Sequence, residues 1–407
     1  MAKYVHRWIE SQVSQYLSFM RIVHIRGARQ CGKTTLVRQQ VKADALYRTL
    51  DDPTTLNSAK EDPVHFLRHQ SSTMIIDEIQ KAPHLIAALK QEVDERPGKG
   101  RFLITGSSDV FSQSTVSESL AGRIANLQLS SLTVGEQLGT TPQFLSYCRT
   151  NRFPDMLSSC SKEMVVGYAL QGGYPEVIML PPQVRGLWMQ QYVDTLLTHD
   201  LVHIAAIERQ AVMRQLVTTL ASYSSKALNI SQIAGALGIS RPTLYAYCSY
   251  LEQLYLFTRI PSYTQTEYAK VGKLETWFAL DSGLLASVLK WEFGTVMQDT
   301  DQAGKLMETF VFHELFVQLS LQHDYTLYRY RDHEKHEIDF LLEKDDQLVG
   351  LEVKAGETVR SDDFKHMLWF RDSIAKKPFV GIVLYCGSQV LSFGPSLWAV
   401  PISAFWS

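Results

Sequence analysis

The sequence predicts an α/β chain in three parts: a parallel sheet covered by helices, a helical middle region, and a second α/β unit. Three observations carry this expectation. Short apolar strands near 21–25, 74–76 and 102–104 alternate with helical stretches, the pattern of a parallel sheet covered on both faces. From about 134 to 260 the periodicity turns helical. From about 273 onward, strands with period-two alternation return around a helix at 305–318. The expected bounds are 1–133, 134–265 and 266–407.

Composition narrows the class. The 407 residues, 45% of them hydrophobic, supply apolar material for more than one core. A net charge of −2 excludes a general polyanion binder, so any nucleic-acid surface must be a local patch. Cys31, Cys148, Cys160, Cys248 and Cys386 are scattered, odd in number and form no C-x-x-C pair. That spacing supports neither a zinc site nor a disulfide framework, and a reducing cytoplasm is the expected location. The start, Met1-Ala2-Lys3-Tyr4, lacks the apolar core and cleavage site of a signal peptide. The apolar run 379–386 is too short to span a bilayer and reads as a buried strand. No membrane role is expected.

In chain order, 5–19 reads as an amphipathic entry helix, 21–25 as a strand and 35–41 as a helix. Between the last two lies Gly27-Ala28-Arg29-Gln30-Cys31-Gly32-Lys33-Thr34, which fits G-x-x-x-x-G-K-T. Glycines let backbone N–H groups curl around phosphate oxygens, and the following helix N-terminus adds a favourable field. These eight residues and Thr35 form the expected nucleotide cradle. Lys33 is placed to reach the β- and γ-phosphates, and the Thr34 hydroxyl to ligate Mg²⁺. ATP and Mg²⁺ are the expected ligands.

A second signal is independent. Met74-Ile75-Ile76-Asp77-Glu78 is an apolar strand that carries two carboxylates to its C-terminal end. Asp77 is expected in the Mg²⁺ shell, and Glu78 to orient and activate the attacking water.

Gly-Ala-Arg-Gln before Cys31, Asp-Glu-Ile-Gln at 77–80 and Thr-Gly-Ser-Ser at 105–108 together resemble AAA-type P-loop NTPases that carry a C-terminal domain of unknown function. The resemblance covers nearly the whole chain. It implies that Ser107 is a sensor of the γ-phosphate. It also implies that Arg123, ending Ser-Leu-Ala-Gly-Arg, is an arginine finger supplied to a neighbouring subunit. A trans finger requires neighbours, so a homo-oligomeric ring, with a hexamer as the candidate, is the implied assembly. The alternative for Arg123 is a surface salt bridge. The turn Gly172-Gly173-Tyr174-Pro175 also looks like a family feature, without a derivable role.

Residues 228–256 read as helix, turn at Gly238-Ile239-Ser240, helix. The run Leu-Gly-Ile-Ser-Arg-Pro-Thr-Leu resembles winged-helix proteins, with Ser240 as cap and Pro242 in the first turn. Arg241 is the only Lys or Arg up to Leu256, where Glu252 is acidic. Groove reading needs more positive charge than that, so a structural or lid role is the expectation for this winged-helix-like region.

Two consecutive strands near the C-terminus carry Glu337-Ile338-Asp339 and Glu352-Val353-Lys354. Alternation puts Glu337 and Asp339 on one face, and Glu352 with Lys354 on one face. A hairpin can bring Asp339 beside Glu352 and Lys354. Paired carboxylates bind hard cations, and a nearby ammonium orients water or stabilises charge. The pattern resembles the PD-(D/E)XK nuclease fold, with Ile338 in place of the proline. That resemblance adds Glu308, in the apolar stretch Leu306-Met307-Glu308-Thr309-Phe310. Glu308, Asp339 and Glu352 are then the expected metal ligands and Lys354 the catalytic cation. Tyr328-Arg329-Tyr330-Arg331 offers arginines for gripping a phosphate backbone, or an ordinary edge strand.

The expected function is ATP hydrolysis coupled to processing of duplex or branched DNA through this nuclease-like domain. The alternative is an ATP-dependent switch that binds a protein partner, with the nuclease-like fold idle.

Overall fold

The computed structural model describes residues 4–40, 44–106, 120–155, 158–200, 210–264, 275–322 and 324–407. The chain divides into two compact units, Met1–Ser131 and Leu132–Ser407. No helix among the described residues is long and apolar enough to cross a membrane.

The first unit is built on five strands: β1 (Ile22–Arg26), β2 (Leu46–Thr49), β3 (Met74–Asp77), β4 (Phe102–Gly106) and β5 (Ile124–Gln128). Their order is β2-β3-β4-β1-β5, and every pair is parallel. β3 and β4 are buried along their whole length. This is why they read as continuous apolar runs rather than alternating ones. Register pairs Thr49 with Asp77 and Ile25 with Thr105, so the strand C-termini share one edge. One face is covered by Leu85, Ile86, Leu89 and Val93 of the helix Leu85–Glu95.

Helix ends differ from the sequence expectation for local reasons. The entry helix runs only Glu10–Leu17, not 5–19. The Arg7 backbone N–H donates to Glu10 Oε1 at 2.7 Å, and the Arg7 guanidinium donates to the carbonyls of Cys31 and Ser130. Those bonds hold the preceding chain outside the helix. The helix after the loop runs Lys33–Gln39 rather than 35–41. Gly32, at φ +105°, turns the chain directly into it.

The second unit begins with helices. A later segment has the order helix Gln210–Ser222, β6 (Lys226–Ala227), helices Ile230–Leu237 and Arg241–Gln253, β7 (Phe257–Ile260), β8 (Thr276–Ala279). The three strands pair as β6-β8-β7. Asn229 caps the first of the paired helices by accepting from the Gln232 N–H, and Ser240 caps the second by accepting from Thr243.

The helix Thr300–Ser320 is longer than expected because Asp299 caps it, accepting from the N–H groups of Asp301 and Gln302. It is followed by β9 (Thr326–Arg331), β10 (Glu337–Lys344), β11 (Gln347–Lys354), β12 (Phe379–Tyr385), β13 (Leu391–Gly394) and β14 (Leu397–Pro401). They form a six-stranded mixed sheet, β13-β14-β12-β11-β10-β9. β9, β10 and β11 run antiparallel, whereas β11, β12 and β14 run parallel. Met367 and Phe370 of the helix Lys365–Ser373 pack on Tyr330, Ile338 and Val383.

The turn around Gly172 is tied down within this unit. The Gly173 N–H donates to Asp281 Oδ2 at 2.8 Å, and its carbonyl accepts from Leu132 at 2.7 Å. Its role is thus to join the segment after Ser131 to the helix Ser282–Val288, which Asp281 caps.

Candidate functional site

The first candidate site lies at the C-terminal edge of the parallel sheet. Gly27 follows β1, and a Cβ there would stand 2.1 Å from the Leu129 carbonyl oxygen. Only glycine allows the loop to pass this close to the chain leaving β5. Cys31 is buried beneath the loop, while Arg29 and Gln30 are exposed. Lys33 is buried at 4% exposure, and its Nζ donates to the carbonyls of Gly27 at 3.0 Å and Ala28 at 2.8 Å. The ammonium is therefore held inside the loop that the backbone encircles. Thr35 points outward, exposed.

Thr34 and Asp77 meet: Thr34 Oγ1 donates to Asp77 Oδ2 at 2.9 Å. Two further hydroxyls reach the same carboxylate. Tyr47 on β2 donates to Oδ2 at 2.8 Å, and Thr105 on β4 donates to Oδ1 at 2.5 Å. Thr105 also accepts the Glu78 N–H at 3.1 Å. Glu78 itself has φ +65°, an uncommon conformation for a carboxylate residue. Its side chain accepts a hydrogen bond from the Gln80 amide. The loop, Lys33, Thr34, Asp77 and Glu78 thus come together. Arg123 pairs instead with Asp94 of its own chain, Nε to Oδ1 at 2.7 Å and Nη2 to Oδ2 at 2.9 Å. Ser107 lies outside the described residues.

The donor set suits Mg²⁺. One carboxylate and one hydroxyl face each other beside a buried ammonium, the hard oxygen ligands such an ion takes alongside phosphate. Sequence reasoning missed Tyr47 and Thr105. Thr105 stood in the quoted Thr-Gly-Ser-Ser run. Tyr47 carried no local signal, because only strand order puts β2 beside β3.

The second candidate site lies on the C-terminal hairpin. Phe340 pairs with Leu351, which leaves Asp339 and Glu352 as the next residues of their strands. Asp339 Oδ2 accepts the Val353 N–H at 2.9 Å. Lys354 Nζ donates to Glu352 Oε1 at 3.0 Å. Glu308 faces the same cluster. Its carboxyl is pushed up to about 8 by burial and by the charge of Asp339. Burial, with the charges of Asp339 and Glu308, also raises Glu352. Burial raises Asp339, against the pull of Arg329. The four residues expected together are together.

A cation of the chain itself stands where Glu308, Asp339 and Glu352 were expected to hold a metal. Among the described residues, no group of three His, Cys, Asp or Glu side chains is arranged to hold a metal ion. The Arg329 guanidinium stands among the carboxylates. It reaches Asp339 Oδ1 at 3.3 Å, Glu308 Oε2 at 3.5 Å, Glu337 Oε1 at 2.5 Å and the Ser225 carbonyl at 2.5 Å. Arg329 is 7% exposed and turned inward, whereas Arg331 of the same strand is exposed. These carboxylates do not fit a divalent ion in this arrangement, because their inward oxygens already serve a cation and a backbone N–H.

Residues 20–138 match the AAA domain family. The first unit is an AAA-type ATPase domain. Beyond the AAA domain, residues 162–294 match one domain of unknown function (DUF8612), and residues 303–405 match another (DUF4143). An uncharacterized protein of Mycobacterium tuberculosis is 27% identical over 343 residues, which is 83% of this chain and 71% of that protein. An uncharacterized protein of Haemophilus influenzae is 22% identical over 282 residues, 67% of this chain and 64% of that protein. Among solved structures, the Walker-type ATPase of Pyrococcus abyssi is similar at a TM-score of 0.43 and 13% identity. The match covers 70% of this chain and 96% of that one.

Proposed function

We propose that this protein hydrolyses ATP with Mg²⁺ in its AAA-type domain and uses the nucleotide cycle as a switch acting through its second unit. The observation that carries the reading is the contact of Thr34 with Asp77 beside the Lys33 loop. In this reading Gly27 to Thr35 cradle the phosphates, and Lys33 balances their charge. Thr34 and Asp77 would hold Mg²⁺, which when bound neutralises phosphate charge. Glu78 accepts the proton of the attacking water as its oxygen bonds to the γ-phosphorus and the bond to the β–γ bridging oxygen breaks. Arg123 is proposed to leave Asp94 and serve a neighbouring copy in a homo-oligomer. Ser107 is proposed as the γ-phosphate sensor.

For the second unit the idle nuclease-like fold, a module for a protein partner, is favoured over cleavage. Its surface near the hairpin mixes exposed Glu334, Lys335 and Arg331 with Asp362 and Lys365, without the basic excess that DNA needs. Beside the paired helices, Arg259 is neutralised by Glu252 at 3.1 Å and Glu275 at 2.8 Å. The DNA-processing reading is supported by one observation: Glu308 of the helix Thr300–Ser320 meets Asp339, Glu352 and Lys354 of the hairpin.

The test is purified protein with ATP, Mg²⁺ or Mn²⁺, and single-stranded, duplex and branched DNAs. ATP hydrolysis is expected, abolished by Lys33→Ala. Glu78→Gln is expected to keep ATP bound and slow turnover sharply. Unchanged turnover in Lys33→Ala would overturn the ATPase reading. DNA cleavage that Asp339→Ala removes, with ATP hydrolysis intact, would overturn the idle-fold reading.

A further inference from the structure

The carboxylate cluster of the C-terminal hairpin already contains a cation. Arg329 comes from the neighbouring strand β9, and its guanidinium is almost fully buried. Its fork is spent on four oxygens. Nη1 donates to the Ser225 carbonyl at 2.5 Å and to Glu308 at 3.5 Å. Nη2 donates to Glu337 at 2.5 Å and to Asp339 at 3.3 Å, and Nε donates to Glu337 at 3.1 Å. A buried guanidinium without partners would be very costly, and so would buried carboxylates without a cation. Each makes the other tolerable. The charges of Asp339, Glu308 and Glu337 hold Arg329 firmly protonated despite its burial. Arginine suits this position because its planar donors reach three carboxylates and a carbonyl at once, which an ammonium cannot do.

We propose that Arg329 is the resident cation of this cluster, standing where the nuclease-like fold would hold a divalent metal, so that the unaltered protein binds no metal there. Asp339 Oδ1 faces Arg329 and Oδ2 accepts the Val353 N–H, so both Asp339 oxygens already meet a donor. Glu352 is turned to Lys354 at 3.0 Å. A divalent ion entering the cluster must displace a fixed positive charge that is bonded on four sides. The inference rests on the nuclease-like reading of the hairpin only for the identity of the ion replaced. It is independent of ATP hydrolysis.

The experiment uses the full chain without nucleotide, which removes the phosphate ligands from the Thr34–Asp77 site, and Asp339→Asn separates that site from this cluster. Mn²⁺ alone is titrated and followed by its paramagnetic resonance signal, with the thermal midpoint measured in EDTA and in millimolar Mn²⁺. The unaltered protein is expected to bind no Mn²⁺ at this cluster and to melt at the same temperature in both. Arg329→Met, which keeps side-chain length and removes the charge, is expected to gain a Mn²⁺ site at least about tenfold tighter than any in the unaltered protein. Arg329→Met combined with Asp339→Asn should lose it again. A folded Arg329→Met protein without a gained site would overturn the proposal. If Arg329→Met does not fold, the unaltered protein decides. Mn²⁺ binding or Mn²⁺ stabilisation that Asp339→Asn removes would overturn the proposal, and their absence upholds it.

Discussion

Thr105 donates its hydroxyl to Asp77 Oδ1 at 2.5 Å and accepts the backbone N–H of Glu78 at 3.1 Å. One side chain near the end of β4 therefore holds both the carboxylate of Asp77, the last residue of β3, and the backbone of Glu78 just beyond it. Thr105→Val keeps the shape and removes both bonds. A hydrogen bond to a charged group is worth roughly 1.5–3 kcal/mol, so turnover is expected to fall about 10- to 100-fold. Thr105→Ser should restore most of it. Steady-state ATP hydrolysis on proteins with matched melting curves checks this. A Thr105→Val enzyme with full turnover would mean that Asp77 and Glu78 are held by other means.

Tyr47 donates to the other Asp77 oxygen at 2.8 Å, and Arg38 Nε in turn donates to the Tyr47 hydroxyl at 3.3 Å. In the proposed reading Tyr47 aims Asp77 at the Mg²⁺ position without touching substrate. Tyr47→Phe should raise the Mg²⁺ concentration for half-maximal hydrolysis by about tenfold, the equivalent of roughly 1.4 kcal/mol. Turnover at saturating Mg²⁺ should change little. A Mg²⁺ titration at fixed ATP reads this directly. An unshifted midpoint would reduce Tyr47 to a packing residue.

Arg123 and Asp94 form a two-pronged pair within one chain. A finger acting on a neighbour's phosphate must give up that pair. Arg123→Ala is expected to lower hydrolysis, and mixing it with Lys33→Ala protein should recover part of the activity, because one copy supplies the finger and the other the loop. Asp94→Asn should leave activity intact or raise it. No recovery in a mixture shown to co-assemble would assign Arg123 to its salt bridge alone.

Glu314 is buried on the helix Thr300–Ser320, and its Oε1 accepts the Val134 N–H at 2.8 Å. Glu314 Oε2 and His313 Nε2 have no hydrogen-bond partner among the described residues. Burial pushes the Glu314 carboxyl from the ordinary 4.5 up to about 8, and the charge of Glu136 adds to the rise. A carboxyl raised on folding binds its proton more tightly in the folded chain. Its stabilising contribution is complete below the unfolded value near 4.5 and is lost as pH rises through about 8. Within that window stability should fall by roughly 1 kcal/mol per pH unit from this group alone. Glu314→Gln keeps an acceptor for Val134 and should flatten that slope, although Glu308 contributes with the same sign. Urea unfolding between pH 5 and 8 makes the comparison. Parallel slopes in the two proteins would exclude Glu314 as the titrating group.

The proposed nucleotide site was legible in the sequence because its chemistry is local. The cradle from Gly27 to Thr34 is contiguous, and its glycines mark backbone constraints that hold wherever the loop sits. Asp77 and Glu78 announced themselves because two adjacent carboxylates directly after an apolar run need polar partners there. Tyr47 was silent because its contact depends on β2 lying beside β3, a pairing of residues as distant in sequence as Thr49 and Asp77. At the hairpin, alternation correctly put Asp339 with Glu352, since strand faces follow from a period of two. The same alternation could not tell whether Arg329 looked outward to a ligand or inward to the carboxylates.

The sequence by itself determined the strand–loop–helix around Gly27–Thr34, the acidic end of β3 and the face shared by the hairpin carboxylates. These follow from steric and periodic rules that act over a few residues. Tertiary structure decided that Thr105 and Tyr47 converge on Asp77, that Arg123 rests on Asp94, and that Arg329 fills the acidic cluster. Each of those outcomes joins residues from different elements. Burial then selects among the possible partners, because a charge removed from water must be met by whatever opposite group the packing brings within reach.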